Sequence, residues 1–494
     1  MKSYKINKYI VLLLLVTFAF SCEEYLEESP DDRLELNSIE KAAKIVANSY
    51  ASGSYAFTDG LTDLVGPTGN PDSNGISQNA GGNEIRQIHL QIYGWEDITE
   101  VGTDSPTFFW DQSNTGIEQV NQVLEVLDQL EGDQEFKNAI KGEALLSRAY
   151  SHFMLVNMFG LHYDENASSN LGVPYITQPE TEFLPAYKRN TVAEVYDLVE
   201  KDLLEGLSLI NDEFFSGTKK YHFTKKAAQA FASRFYLWKR DYTNCIKYSD
   251  LFLGGNPSQY VKSYDNFDIE GYTARADIYG DPNDESNLLL MRKASIFQRS
   301  TLGFQSNVPQ IIELLKNPFG IIDERRDKGN FWTFGTDAAI LVRPREYVER
   351  ENPTSTVVFP YHIAIELKGE EVLLNRAEAQ LELGNATAAL ADINILAKER
   401  YFDREFDNMT DLMNFYNTTD EKSTLFELLM HERKKEFKGH GLRWFDIKRH
   451  NLSVTHTFPV SLGGSTITLS ENDLRKAIQI PNDAIAFGLT PNPR

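Results

Sequence analysis

The amino-acid sequence predicts a mainly α-helical protein: tetratricopeptide-like helical hairpins joined to a loop-rich region that contains short strands. Three observations carry this expectation. Helix-capping signals precede apolar residues that recur at helical spacing in several segments. A weak internal repeat relates Leu145–Ala149, Ala232–Phe235 and Leu373–Ala377, and small residues at such positions let neighbouring helices approach closely, as stacked hairpins require. Between about residues 254 and 361 the long helical patterns stop, and Gly, Asn, Asp and Pro punctuate short runs such as Asn287–Met291.

The chain begins with a targeting segment, residues 1–21. Lys2, Lys5 and Lys8 form a basic start, Tyr9 to Phe20 is an apolar run too short to span a bilayer comfortably, and Ser21 precedes Cys22. A cysteine at that point suggests cleavage before Cys22 and a lipid on its thiol, although bulky Phe20 departs from the strict lipobox and leaves simple secretory cleavage as the alternative. Glu23, Glu24, Glu27 and Glu28 would then form a hydrated acidic tether. The 494 residues carry a formal charge of −23, and loss of the three leading lysines takes it to −26, so a nucleic-acid partner would be repelled. Hydrophobic residues at 41% and aromatics at 12% suffice for a large core. Only two cysteines occur; with Cys22 acylated, Cys245 is a lone packing thiol.

Ser38 to Tyr50 has helical composition, and Gly53 to Asn83 reads as a long loop of the kind that is functional or disordered. From Phe109, the residues Ile117, Val120, Val123, Leu124 and Leu127 mark an amphipathic helix ending near Gly132. Phe136–Gly160 is a deeply buried helix with Leu146, Ala149, Phe153 and Val156 on one face. Thr191 and Glu194 make a capping box before the stripe Val192, Val195, Tyr196, Val199, Leu203 and Ile210. Thr224 opens a helix pair broken at Arg240 and Asp241, running to Leu253. A second pair is expected over Ile365–Leu383 and Ala386–Arg400, turning at Gly384 and Asn385. Near the end, Ile478, Ile480 and Pro481 suggest a short strand and a proline-rich exit.

The stretch Leu425–Arg449 begins as core and continues as charge. Thr424 and Glu427 offer a capping box, and Leu425, Leu428 and Leu429 form a stripe whose spacing leads on to Glu432, Arg433 and Glu436. Charges on a core face must be paired, so Arg433 to Glu436 within one turn, with Arg443 arriving after Gly439, His440 and Gly441, predicts a structural carboxylate–guanidinium network. A solvated charged helix end is the alternative.

No catalytic spacing persuades. His431 and Glu432 lack a second histidine at metalloprotease spacing, and neither a nucleophile elbow nor a phosphate loop is present. His440 between two glycines reads as a turn residue. Asp281, Asn283, Asp284 and Glu285 lack the full calcium-loop pattern and read as a solvated turn; no metal and no cofactor is expected. Paired carboxylates for glycoside hydrolysis are defined by separation in space, which leaves a hydrolase as a remote alternative. Loop aromatics are the better clue, because sugar rings stack their C–H faces on Trp and Tyr while polar side chains bond the hydroxyls. The candidates are Tyr93 and Trp95 beside the Asn-rich loop, with Tyr279 and Trp332 from the middle region, among further aromatics Tyr272, Phe297, Phe304 and Phe331.

These residues carry a resemblance. GEALLSRAYSHFMLVNMFG followed by GVPYIT, TVAEVYDLVEKDLLEGLSLI, TKKAAQAFASRFYLW, GEEVLLNRAEAQLELGNATAALADIN and HERKKEFKGHGLRWFDIKRH stand in an order that resembles the SusD/RagB family of outer-membrane lipoproteins along nearly the whole length after Cys22. The resemblance implies an α/α superhelix over residues 22–494, with an N-terminal part of about 23–215 and a C-terminal part of about 216–494 holding the loop-rich insertion at about 254–361. It implies a lipid-anchored protein of the cell outer membrane, facing the exterior, that is not an enzyme. Such a protein captures glycan for a partner TonB-dependent, SusC-like transporter; capture of peptides by the same fold is the alternative the RagB branch suggests. Family ligand residues lie in variable loops, so none is carried over.

Overall fold

The computed structural model describes residues 36–494 apart from 70–85, 182–185, 268–270, 298–302, 329–330, 335–337, 342–344 and 351. The targeting segment, Cys22, the acidic tether and residues 70–83 of the expected long loop lie outside the described residues. The helices are α1 (Ile39–Asn48), α2 (Gln87–Tyr93), α3 (Pro106–Val126), α4 (Gln134–Phe159), α5 (Val192–Leu209), α6 (Lys225–Trp238), α7 (Tyr242–Leu253), α8 (Tyr272–Tyr279), α9 (Val308–Leu314), α10 (Glu324–Asp327), α11 (Gly369–Glu382), α12 (Ala386–Arg400), α13 (Met409–Tyr416), α14 (Glu421–Glu436), α15 (Leu442–Arg449) and α16 (Asn482–Ala486). Short strands complete the fold: β1 (Gly66–Pro67), β2 (Asn287–Lys293), β3 (Phe304–Gln305), β4 (Phe331–Phe334), β5 (Ala338–Leu341), β6 (Glu346–Arg350), β7 (Val358–Lys368), β8 (Val454–Thr457) and β9 (Thr466–Leu469).

Local chemistry sets the helix starts. Ser38, Ser105, Asp133, Thr224 and Asp241 each accept a backbone N–H of the first turn, Pro106 occupies the position where its missing N–H costs nothing, and Thr191 with Glu194 closes a full capping box. The hairpin α6–α7 breaks at Arg240, whose φ of 62° is left-handed, and Asp241. Helices α3, α4 and α5 pack in sequence, α6–α7 packs on α11, and α11–α12 packs on α14, so the hairpins share one continuous apolar core. At the α4–α5 crossing a Cβ on Gly142 would lie 2.8 Å from the Ile210 nitrogen, and one on Gly206 would lie 2.9 Å from the Gly142 carbonyl; only glycine allows that approach.

The repeated motif has a common contact. Arg148 of α4 forks Asp202 of α5 at 2.7 and 3.0 Å, Arg234 of α6 forks Glu371 of α11 at 2.6 and 2.5 Å, and Arg376 of α11 forks Asp392 of α12 at 2.9 and 2.7 Å. In each copy a bidentate pair locks one helix to another, which a lysine could not do with the same geometry.

Three expected elements differ. Ile365–Lys368 is strand, the end of β7, and α11 begins only at Gly369; Ile365, Glu366, Leu367 and Lys368 alternate apolar and charged side chains at the period of a strand. Helix α14 starts at Glu421 with Asp420 accepting from the Ser423 N–H, so Thr424 lies inside the first turn and donates to the Asp420 carbonyl at 2.6 Å instead of capping. Ile478–Pro481 is irregular, with Ile478 donating to the Met158 carbonyl, while the C-terminal hairpin is β8–β9, where Thr alternates with larger residues. The first part of the expected loop is packed: Ala56–Leu61 is a buried 3-10 turn, Thr58 donates to the Gly441 carbonyl at 2.8 Å, and Asp59 accepts the Gly439 N–H at 2.6 Å. Gly441 has φ 75°, and a Cβ there would stand 2.5 Å from the Tyr55 carbonyl.

The loop-rich region supplies an antiparallel sheet in the order β2–β7–β6 and a small ladder β4–β5, and its β3 pairs with β1 of the earlier loop. Strand β7 runs from an exposed end at Val358 to a buried end at Lys368 and feeds directly into α11.

Candidate functional site

Helix α14 faces two environments. Its last turns direct His431 and Lys434 to a surface cleft, and Glu432, Arg433 and Glu436 to the interior. The cleft has a volume of about 580 Å³ and is walled by α9 and the following turn (Gln310, Ile311, Glu313, Leu314, Lys316), the end of α13 (Phe415, Tyr416), α14, and Asp63, Leu64 and Ser306. The capping box of Asn307 with Gln310 fixes the start of α9, and the Ser306 hydroxyl donates to the Leu64 carbonyl.

Phe415 is 38% exposed and lies nearly parallel to His431, with planes 14° apart. Tyr416 stands edge-on to it, ring centroids 4.9 Å apart. His431 Nε2 lies 2.7 Å from the Leu314 carbonyl, which can only accept, so Nε2 carries the proton and Nδ1 accepts the Tyr416 hydroxyl at 3.0 Å. Burial, aided by nearby Lys435, holds this imidazole neutral down to about 3. The rim is charged but balanced: Lys434 meets Asp63 at 2.7 Å and Lys316 meets Glu313 at 2.5 Å. Burial opposes the charge on Asp63, yet Arg443, forking it at 2.9 and 3.0 Å, and Lys434 hold its carboxyl well below the usual range. The arrangement offers the partly exposed Phe415 ring with donors and acceptors along the same cleft.

Behind the cleft, Glu432, Arg433 and Glu436 are buried and paired. Arg325 forks Asp323 at 2.8 and 2.6 Å and reaches Glu432 at 2.8 Å, while Glu432 also accepts Lys435 at 3.0 Å and the Tyr401 hydroxyl at 2.5 Å. Glu436 takes Arg400 at 3.0 and 3.1 Å and Lys368 at 3.3 Å. The expected pairing of Arg433 with Glu436 gives way to a fork on Asp446, both contacts 3.1 Å, because Asp446 of α15 offers two parallel acceptors where Glu436 is already engaged by Arg400 and Lys368. Burial raises the Glu432 pKa, but Lys435 and Arg325 outweigh it and hold the group at about 2. Glu436 is held below the usual range in the same way, Arg400 and Lys368 outweighing burial.

The aromatic candidates are placed differently from the expectation. Tyr93, Trp95 and Tyr279 are 2%, 5% and 0% exposed and offer no ring face to a ligand. Tyr93 and Trp95 clasp His456 between them at 4.0 and 4.3 Å, with the Trp95 N–H donating to the Leu61 carbonyl at 2.9 Å; Tyr279 bonds His440 Nε2 at 2.7 Å. Tyr93 and Trp95 are core because the described first part of the loop packs against them, Leu61 beside Trp95 and Leu64 and Val65 beside Tyr93. Trp332 lies on β4, and its side chain is outside the described residues; the β4–β5 hairpin packs beside α9. In the acidic run, Asp284 accepts Lys262 at 2.5 Å and the Ser286 N–H at 2.8 Å. Phe415 and Tyr416 were not anticipated; the available signal was the Asn408 cap and two adjacent aromatics before Asn417, which ends α13 in left-handed conformation.

Comparisons with known proteins agree with this architecture. A family model described as starch-binding and associating with the outer membrane matches residues 24–237, and the SusD family model matches residues 342–488. A SusD-like protein of Formosa agariphila is 23% identical over 406 residues, 71% of this chain and 74% of the relative. A putative sugar binding protein of Bacteroides vulgatus superposes with a TM-score of 0.67 at 20% identity, covering 93% of this chain and 99% of the other. A SusD superfamily protein of Bacteroides thetaiotaomicron gives 0.66 at 20% identity over 92% and 100%.

Proposed function

Because the chain belongs to the SusD/RagB family, we propose that it is a lipid-anchored outer-membrane protein that captures oligosaccharide in the Phe415 cleft and delivers it, without turnover, to a SusC-like TonB-dependent transporter. The observation that carries the site is the half-exposed Phe415 ring in a 580 Å³ cleft whose polar groups surround it. An apolar ring face with peripheral hydrogen-bonding groups is complementary to a pyranose. The cleft's cations are each matched by a carboxylate, Lys434 with Asp63 and Lys316 with Glu313, which suits a neutral glycan better than a sulfated or uronic one. Family association with the outer membrane, and the absence among the described residues of any helix long and apolar enough to cross a membrane, are consistent with anchoring through Cys22. Trp332 stays in the proposal as an aromatic on a hairpin beside the cleft wall.

A glycan array with the purified chain, followed by calorimetry on the best ligand, tests this. Phe415→Ala is expected to weaken binding about tenfold, the loss of roughly 1.4 kcal/mol of stacking, with unchanged melting temperature. Unchanged affinity removes the cleft from the proposal, and sugar products released from the bound glycan remove the binding-only reading.

A further inference from the structure

We infer that β6 is an edge through which two copies of this chain pair as antiparallel strands about a two-fold axis centred on Val348. In the sheet β2–β7–β6, β6 is the edge strand among the described residues, and all five of its residues are exposed. The apolar surface there is large for a hairpin: Val348 is 57% and Phe359 53% exposed, with Tyr347, Val357 and Val358 beside them. Such an edge is a template for another strand unless it is blunted, most often by lysine or proline, and β6 contains neither.

The sequence of β6 says which strand fits. Antiparallel ladders alternate narrow and wide pairs, so a two-fold axis can pass only where a residue faces its own copy. Centring on Val348 sets Val348 against Val348, Glu346 against Arg350 twice, and Tyr347 against Glu349 twice, using the full strand Glu346–Arg350. Opposite charges directly across a ladder attract, so this register is self-complementary, with Glu346, Val348 and Arg350 sharing one face. Tyr347 already stacks on its cross-strand partner Tyr361 with planes 23° apart, and Arg292 covers Tyr361 at 4.1 Å, so the row on the other face is ordered before any partner arrives. Arg350 is held at the hairpin end by donating to the Ser355 carbonyl at 2.6 Å. The result is a continuous sheet in the order β2–β7–β6 followed by its symmetric copy, with Val348 set against its own copy.

The test uses the full chain carrying Cys22→Ser, which leaves buried Cys245 as the only native thiol. Light scattering during gel filtration is expected to give twice the chain mass at micromolar concentration. Val348→Cys should then oxidise to a disulfide-linked dimer within minutes, while Tyr347→Cys and Glu349→Cys cross-link only when the two variants are mixed. Glu346→Arg should weaken the dimer at least tenfold with unchanged melting temperature, and Glu346→Arg with Arg350→Glu should restore it. A monomer for the unaltered chain, equal self-cross-linking at all three positions, or a dimer indifferent to Glu346→Arg overturns the inference.

Discussion

Glu432 illustrates what a buried charge does at the scale of a residue. Its carboxylate serves Arg325, Lys435 and the Tyr401 hydroxyl at once, so removing it leaves two cations in the interior without that counter-charge. Glu432→Ala is expected to cost about 3–5 kcal/mol in chemical denaturation, because the stranded partners lose more than the pair contributes. Arg433→Ala should cost a similar amount through Asp446, which is likewise buried. Trp95→Ala, in turn, should lower stability by about 3–5 kcal/mol with the clasp around His456 lost, and should leave glycan affinity unchanged in whatever remains folded. A fall in affinity with normal melting would return Trp95 to the binding surface. Cys245 needs no such test as a reactive group: burial pushes its thiol up to about 12, and it points at the Asn375 carbonyl.

At the scale of the element, α14 and the α4–α5 pair carry the clearest consequences. The Asp420 cap holds the start of α14, and Asp420→Ala should cost about 1 kcal/mol, read as a small shift in the denaturation midpoint with an unaltered slope. Gly142→Leu should do far more, because the α4–α5 crossing leaves no room even for a Cβ; an unchanged midpoint would mean the helices can part freely. The same elements show how much of the fold was legible. Thr191–Glu194, Thr224 and Asn385 announce helix boundaries through local hydrogen bonds or turn geometry, and those boundaries fall where the local chemistry puts them. Ile365 was misread because the alternation of Ile365, Glu366, Leu367 and Lys368 runs without a break into the helical pattern that follows, and the strand is held by pairing with β2 across the sheet. The repeat was visible as small residues around an arginine, but its purpose, a fork on a carboxylate elsewhere in the sequence, appears only when the helices are packed.

For the whole molecule, the buried histidines and carboxylates act together against acid. His152 and His431 are held neutral to about 3 by burial, against 6.5 when exposed, so the stability they contribute is present above 6.5 and lost as pH falls towards 3. Glu432, held at about 2 against 4.5, adds stability above 4.5 that is lost towards 2. Thermal melts should therefore fall as pH drops below 6.5 and fall faster below 4.5, and a melting temperature constant from pH 7 to pH 4 would contradict the burial of these groups. The helical class and the order of the hairpins were determined by the sequence alone, because capping and periodicity are local properties, and the family resemblance rested on motifs standing in order along the chain. The tertiary structure alone decided that Tyr93, Trp95 and Tyr279 are core, that Phe415 lines the cleft with part of its ring exposed, and that the charged face of α14 is an interior network backing the cleft. Whether a ring meets solvent or a carboxylate meets a guanidinium depends on which distant segments share its surroundings, and for α14 those come from Asp63 through Asp446.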